Sequence, residues 1–381
     1  VTDRASPETD RIAIVGAGVA GAAAAYALRE ADAEVTVVER RSEAGGRAAT
    51  RRREGCVYDV GANYLTVADE GVQALVDGPL ADELVAVDGD VWTVDADGKI
   101  SPGRDSADTK WTGRSGVARL ASVLLERAAV ESADGTESAD ETENADGTAD
   151  LEIAWGVDVA GVRRTDEHRW QLQTGPNAPA ADGADTEAGL DLTEPFDDVV
   201  LTPPGPATAE LLLETPVARE LRAAARSIEY RPITTVAAHY DRPIEWPYYA
   251  LVDASKTRDL GWVAREACKP GHVPAGESLV ILQASPEWSR AHRRVEEAAV
   301  ADAATDLLAA LVDDPGLAEP TWTDVVRWRY ALTDDGLAPG VREEPAAAGL
   351  HVAGDWVAGE ARLNAAMHSG LATAEELLET D

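Results

Sequence analysis

The apolar positions of the first forty residues change period twice. A short unbroken run, Ile12-Ala-Ile-Val15, gives way to glycines, then to an alanine-rich stretch over 20–30, then to a second run, Val35-Thr-Val-Val38. Unbroken runs of this length predict strands buried on both faces, with the stretch between them as the crossover helix. Residues 84–100 instead alternate apolar and polar around Asp/Gly turns, which predicts antiparallel strands. Ser115 reads as the N-cap of a helix over 116–127, whose Val117, Leu120, Val123 and Leu124 form an apolar stripe. Strand character resumes at 151–154 and 157–163, and 168–173 is placed to pair with the latter. Asp198–Leu201 reads as a short buried strand stopped by the prolines that follow. A helix is predicted over 207–226, strands over 233–240 and 278–284, a long alanine-rich helix over 291–312 and a strand over 322–330. His351–Ala353 is a last buried strand, and 364–379 a last helix.

Parallel-strand signals thus sit at the N-terminus, near 151, near 198 and at the C-terminus, whereas antiparallel signals fill 84–113 and 228–330. The pattern predicts an α/β fold: a Rossmann-like domain assembled from discontinuous segments, with an inserted α+β domain built on an antiparallel sheet. The expected division gives 1–70, 114–206 and 345–381 to the first domain, and 71–113 and 207–344 to the second. Two stretches, 131–150 and 175–194, are polar and acidic with almost nothing to bury, and read as disordered surface insertions.

Composition sharpens this picture in one respect. The 381 residues carry 70 acids against 34 bases, a net charge of −36, and only Lys99, Lys110, Lys256 and Lys269 are lysines. Such a surface suits molar salt, where self-repulsion is screened and carboxylates keep the chain hydrated. It also disfavours nucleic-acid binding, which needs a basic stripe. No run approaches the ~18 apolar residues of a membrane span. The polar first ten residues lack a signal peptide's apolar core, so a cytoplasmic protein is expected. Cys56 and Cys268 read as buried, reduced side chains, and the six histidines show no metal-ligand spacing, so no metal is expected.

The chemistry begins in the first βα turn. Gly16-Ala-Gly18-Val19-Ala20-Gly21 follows a strand, opens a helix and is followed by a strand ending in Glu39 and Arg40. Gly16 permits a tight turn, Gly18 lets a pyrophosphate approach the backbone, and Gly21 lets helix and strand pack closely. The helix N-terminus offers N–H groups to phosphates, and Glu39 can accept from a ribose diol. To that point nicotinamide and flavin dinucleotides are both open. Gly45-Gly46-Arg47 can lay a guanidinium on a pyrophosphate, and Gly354-Asp355, between a strand and a helix, can accept from a ribityl chain. Together they point to FAD.

These residues resemble the flavin amine oxidase superfamily, with FAD in a GR2-type Rossmann domain, and within it the renalase-type oxidoreductases. Further matching stretches are Tyr58–Thr66, Gly261–Arg265 with Lys269-Pro270, Gln283–Ser289, Arg327–Leu332, and Arg362–Gly370. The resemblance implies that Glu39 binds the adenosine ribose, Arg47 the pyrophosphate and Asp355 the ribityl chain. Gly61, Ala62 and Asn63 would lie along the flavin, and Val159 would meet adenine through its backbone. Asn364-Ala365 would keep backbone contacts to the flavin, although the pattern usually has an acid and a glycine there. Renalase-like enzymes are similar in oxidising dihydronicotinamide isomers, passing hydride to flavin N5, with dioxygen then reduced to hydrogen peroxide. Trp262, Trp288, Trp328 and Tyr330 are candidates for the pocket's flat walls, with Arg265 or Arg329 near anionic phosphates. Three alternatives accompany this reading. An amine oxidase proper usually carries a lysine near flavin N5, and a carotenoid or porphyrinogen desaturase an apolar tunnel. A flavin-binding redox sensor or scaffold would bind without turnover.

Overall fold

The computed structural model describes residues 9–103, 108–134, 150–175, 192–338 and 340–379. The two buried runs at the N-terminus form neighbouring parallel strands, Asp10–Val15 and Ala33–Glu39, in register from Asp10↔Ala33 to Val15↔Val38. Asp150–Trp155 adds outside the second of them. Asp198–Leu201 and then Leu350–Val352 add on the other side, all parallel. Segments from the start, middle and end of the chain therefore share one five-stranded sheet.

Alternation along the first strand splits its core in two. Ile12 and Ile14 face helices Val19–Ala27, Arg119–Asp134 and Leu363–Leu378, which pack as one apolar layer. Ala13 and Val15 face the hairpin formed by Val159–Arg164 and Trp170–Thr174 and the helices that follow. A parallel sheet covered on both faces needs the unbroken apolar runs seen in the sequence.

The second sheet has seven strands. Trp322–Thr333, Tyr230–Tyr240, Ser278–Ala284, Leu260–Arg265 and Ala250–Asp253 run antiparallel in that spatial order. Val91–Val94 and Ile100–Pro102 extend it, the first of them parallel to Ala250–Asp253. Helix Glu297–Val312 covers one face. The opposite face turns toward the parallel-sheet domain. No helix among the described residues is long and apolar enough to cross a membrane.

Several expected elements differ in extent. The 84–100 stretch divides: Leu84–Ala86 leaves the large sheet to pair with Trp111–Gly113. The helix expected from 116 begins at Arg119 because the chain first closes a turn, Gly116 N to Gly113 O at 3.0 Å. The 207–226 helix breaks at Thr215-Pro216, where proline cannot continue the hydrogen-bond ladder, into Gly205–Leu211 and Arg219–Ser227. The 291–312 helix begins only at Glu297, after a separate short helix Pro286–Ala291. His292 terminates that short helix by stacking its ring on Trp288 at 3.8 Å and placing Nδ1 2.8 Å from the Trp288 carbonyl. Of the two acidic insertions expected to be disordered, 131–134 continue a helix, Asp150 opens a strand, and 175 and 192–194 belong to described structure. Residues 135–149 and 176–191 lie outside the described residues.

Candidate functional site

The glycine turn is held by its neighbours before any ligand is considered. Gly16 (φ +108°) donates its N–H to the Val38 carbonyl at 2.8 Å, joining the turn to the second strand. A Cβ on Gly21 would sit 2.0 Å from the Gly16 carbonyl oxygen, so only glycine lets helix and turn meet. Gly18 is different: a Cβ there would meet nothing within 4 Å, and the helix it opens has no side-chain cap. The fingerprint thus leaves an uncrowded backbone and an uncapped helix N-terminus, which suit a phosphate.

Gly45-Gly46 packs directly on that turn. Gly45 N donates to the Ala17 carbonyl at 2.9 Å, and a Cβ on Gly46 would be 3.3 Å from Gly18 Cα. Glu39 is 8% exposed; its Oε2 accepts from Ala17 N at 2.8 Å and its Oε1 from Arg41 N at 2.9 Å. Each carboxylate oxygen keeps a second acceptor site, so Glu39 both braces the turn and can accept from a diol. Glu39→Ala is expected to weaken FAD retention by about 1–3 kcal/mol, read as the bound flavin fraction after gel filtration; full occupancy would remove its ribose role.

The C-terminal turn reaches the same place. Arg47 makes a bidentate pair with Asp355, Nη1 to Oδ2 at 2.8 Å and Nη2 to Oδ1 at 2.6 Å. Two residues expected on separate parts of a cofactor are therefore joined, and the pair ties the Gly45–Arg47 loop to the Gly354 turn. Gly354 N donates to Ser369 Oγ at 3.0 Å, which seats that turn on the last helix.

Most of these groups open on one cleft of about 1770 Å³ between the two sheets. Gly16, Gly18, Val19, Ala20, Glu39, Arg40, Gly46, Arg47 and Val159 line it. So do Gly61, Ala62, Asn63, Gly354, Asp355 and Asn364. Gly21 and Ala365 do not: Gly21 is spent on helix packing, and Ala366 rather than Ala365 faces the cleft.

The far wall is the second sheet. Gln283 sends Nε2 to the Gly61 carbonyl at 2.8 Å and accepts from Asn63 Nδ2 at 3.3 Å. Trp328 Nε1 donates to the Val60 carbonyl at 2.8 Å. These bonds hold the 60–63 backbone against the sheet and leave Asn63 Oδ1 buried without a hydrogen-bond partner. Trp262 and Tyr64 stand 6.1 Å apart, with Trp262 Nε1 also buried and unpartnered. Burial lifts the Tyr64 phenol above its ordinary value. Tyr330 lies edge-on to Tyr230 at 5.3 Å, with Arg329 over its ring at 4.9 Å. Burial, then the Asp355 carboxylate, pushes the Tyr230 phenol well above its usual range, so it stays protonated.

Trp262, Trp328 and Tyr330 thus line the cleft as expected, but Trp288 and Arg265 do not. Arg265 is three positions after Trp262 on one strand, so the two-residue period turns it to the opposite face, where it donates to the Tyr248 and Ile244 carbonyls, each at 2.9 Å. Trp288 packs under helix Glu297–Val312 on that same far face. Arg329 remains the cleft arginine of the two. Tyr64 and Gln283 are wall residues that the side-chain candidates omitted. Gln283 carries a legible signal, a lone amide directly after the apolar run Leu279-Val-Ile-Leu282.

The donor set fits FAD: an uncapped helix N-terminus beside open glycine backbone, an acid with spare acceptor sites, and two orphaned buried polar atoms along a long cleft. Comparison with known proteins agrees. The profile of the flavin containing amine oxidoreductase family matches residues 145–378, and that of an NAD(P)-binding Rossmann-like domain matches 14–78. The chain is 42% identical over 67 residues to a mitochondrial protoporphyrinogen oxidase of Nicotiana tabacum, a match spanning 18% of this chain and 13% of that one. It is 41% identical over 87 residues to polyamine oxidase 4 of Oryza sativa subsp. japonica, 23% of this chain and 18% of that one. Cyclohexylamine oxidase from Brevibacterium oxydans superposes with a TM-score of 0.66 at 17% identity, over 98% of this chain and 99% of that one, which shows a shared fold. The chain belongs to the flavin-containing amine oxidoreductase family, and FAD is its cofactor.

Proposed function

We propose that this protein is a renalase-like oxidase that oxidises a small, flat, reduced donor of the dihydronicotinamide class. FAD supplies the two-electron acceptor in the cleft: the donor gives up a hydride, and dioxygen with one proton takes the electrons to form hydrogen peroxide. The chain's own residues position and shield. Trp262, Tyr64, Trp328 and Tyr330 offer flat apolar walls for a ring, while Gln283 and Asn63 fix the backbone it would slide over. No proton must be removed before a hydride leaves, so the wall needs no general base.

The observation that carries this reading is the fate of the lysines. Lys269 is fully buried and held by Asp59 at 2.7 Å, Lys256 stands on an exposed turn at the cleft rim, and Lys99 and Lys110 do not line the cleft. None is packed among the aromatic wall residues, which counts against an amine oxidase with a lysine near the flavin. Basic and acidic residues are also close to balanced on the cleft wall, in a chain where acids outnumber bases two to one, which favours an anionic donor over a cationic amine.

The test is an anaerobic bleaching screen in molar KCl. Dihydronicotinamide isomers are expected to reduce the bound flavin, and admission of air to yield one peroxide per donor oxidised. Bleaching by primary or aromatic amines alone would replace this reading with an amine oxidase, and a yellow protein that nothing bleaches would favour a non-catalytic flavoprotein.

A further inference from the structure

Outside the cleft, the fold gathers a second set of chemically capable side chains. Cys56 lies on the short strand Cys56–Asp59, His239 near the end of Tyr230–Tyr240, and Glu277 just before Ser278–Ala284. One ligand atom from each lies within 4.8 Å of the others. We propose that these three residues bind one zinc-class divalent cation, which fastens the Cys56–Asp59 strand to the large antiparallel sheet.

The donors are preorganised. Cys56 is 1% and His239 2% exposed. The His239 ring is stacked on Trp322, with centroids 5.0 Å apart and planes 2° apart, so its orientation is fixed. Its Nε2 lies 2.9 Å from Glu277 Oε2. Its Nδ1 is buried without a hydrogen bond, the nearest acid being Asp241 Oδ1 at 3.6 Å. With a cation on Nε2 the ring proton sits on Nδ1, which faces the Asp241 carboxylate 3.6 Å away. Thiolate, imidazole and carboxylate together are a borderline-soft set that suits zinc above magnesium or calcium. Glu277 is partly exposed, which leaves a way in and room for a water ligand.

A neighbouring cluster shows why this one is different. Asp59, Glu266 and His272 have the same donor spacing, but Lys269 Nζ lies 2.7 Å from one carboxylate and 2.9 Å from the other, so the chain's own ammonium supplies the cation. Among the described residues no lysine or arginine forms an ion pair with Glu277. The site lies five residues before Gly61 on the segment that lines the cofactor cleft, so a cation here would brace that segment from its far end.

The experiment is equilibrium dialysis of the chelator-treated flavoprotein against zinc in molar KCl with excess magnesium, which saturates the carboxylate surface. One zinc per chain is expected, with a rise in thermal midpoint. Cys56→Ser and Glu277→Gln should each weaken zinc about 100-fold. Cobalt in place of zinc should give a thiolate charge-transfer band that Cys56→Ser lacks. The Glu277 variant, at a partly exposed position, keeps the test valid if Cys56→Ser misfolds. No stoichiometric zinc, or zinc held by both variants as tightly as by the unsubstituted protein, would overturn the site.

Discussion

Replacing Lys269 by methionine should destabilise the protein by about 3–5 kcal/mol, because it leaves buried acids without their cation. Asp59, Glu266 and Lys269 side chains are fully buried and meet at 2.7 and 2.9 Å. His272 closes the group, Nδ1 3.2 Å from Glu266 Oε2 and Nε2 3.1 Å from the Gly113 carbonyl. Asp59 also accepts from Thr50, Thr112 and Val117 N, so one carboxylate organises three segments around the start of helix Arg119–Asp134. Urea unfolding at fixed molar KCl measures the loss; a change under about 1 kcal/mol would mean that the buried acids do not depend on Lys269 for their counter-charge.

The same network predicts opposite pH responses in the two proteins. Burial alone would raise the Asp59 carboxyl, but Lys269 and then His272 hold it below its ordinary 3.8. Burial likewise opposes the Lys269 charge, and Asp59 and Glu266 outweigh it, holding the ammonium above 10.5. The carboxylate's contribution is therefore present above pH 3.8 and lost as pH falls through the depressed folded value. The ammonium's is present below pH 10.5 and lost as pH rises through the raised one. In Lys269→Met the Asp59 carboxyl loses its first counter-charge and burial lifts it instead, so acidification should at first raise its stability. Parallel pH profiles for the two proteins would sink this account.

Arg47→Met should weaken FAD binding by about 1.5–3 kcal/mol, on the order of 10- to 100-fold in Kd, by flavin fluorescence titration. The Arg47–Asp355 pair is partly buried, with Asp355 8% exposed, so molar salt screens it less than a surface pair. Its removal takes a guanidinium from the cleft wall and unfastens the Gly354 turn from the Gly45–Arg47 loop. Arg47→Lys should recover only part of the affinity, because an ammonium restores the charge but not the planar fork. Unchanged binding in Arg47→Met would exclude Arg47 from the cofactor's grip.

Much of the cofactor end was legible because its determinants are local. Gly16, Gly18 and Gly21 act within one turn, and unbroken apolar runs announce a sheet covered on both faces. The substrate end was less so. Trp262 and Arg265 stand three residues apart and look alike as candidates, yet strand alternation sends one into the cleft and the other behind the sheet. Trp288 failed for a similar reason, since its short helix folds over the far face, while Tyr64 is placed by contact with Trp262 on another strand.

The sequence by itself determined the dinucleotide turn, the two-domain α/β class and the acidic surface, because each depends on residue type and near-neighbour spacing. Only the tertiary structure decided which side chains share a space. Arg47 meets Asp355, Lys269 meets Asp59, and Cys56 meets His239 and Glu277 across separations of 183 to 308 residues. No periodicity encodes such meetings. They follow from the order in which strands from distant parts of the chain line up in two sheets, and that order is fixed by burial of the whole core.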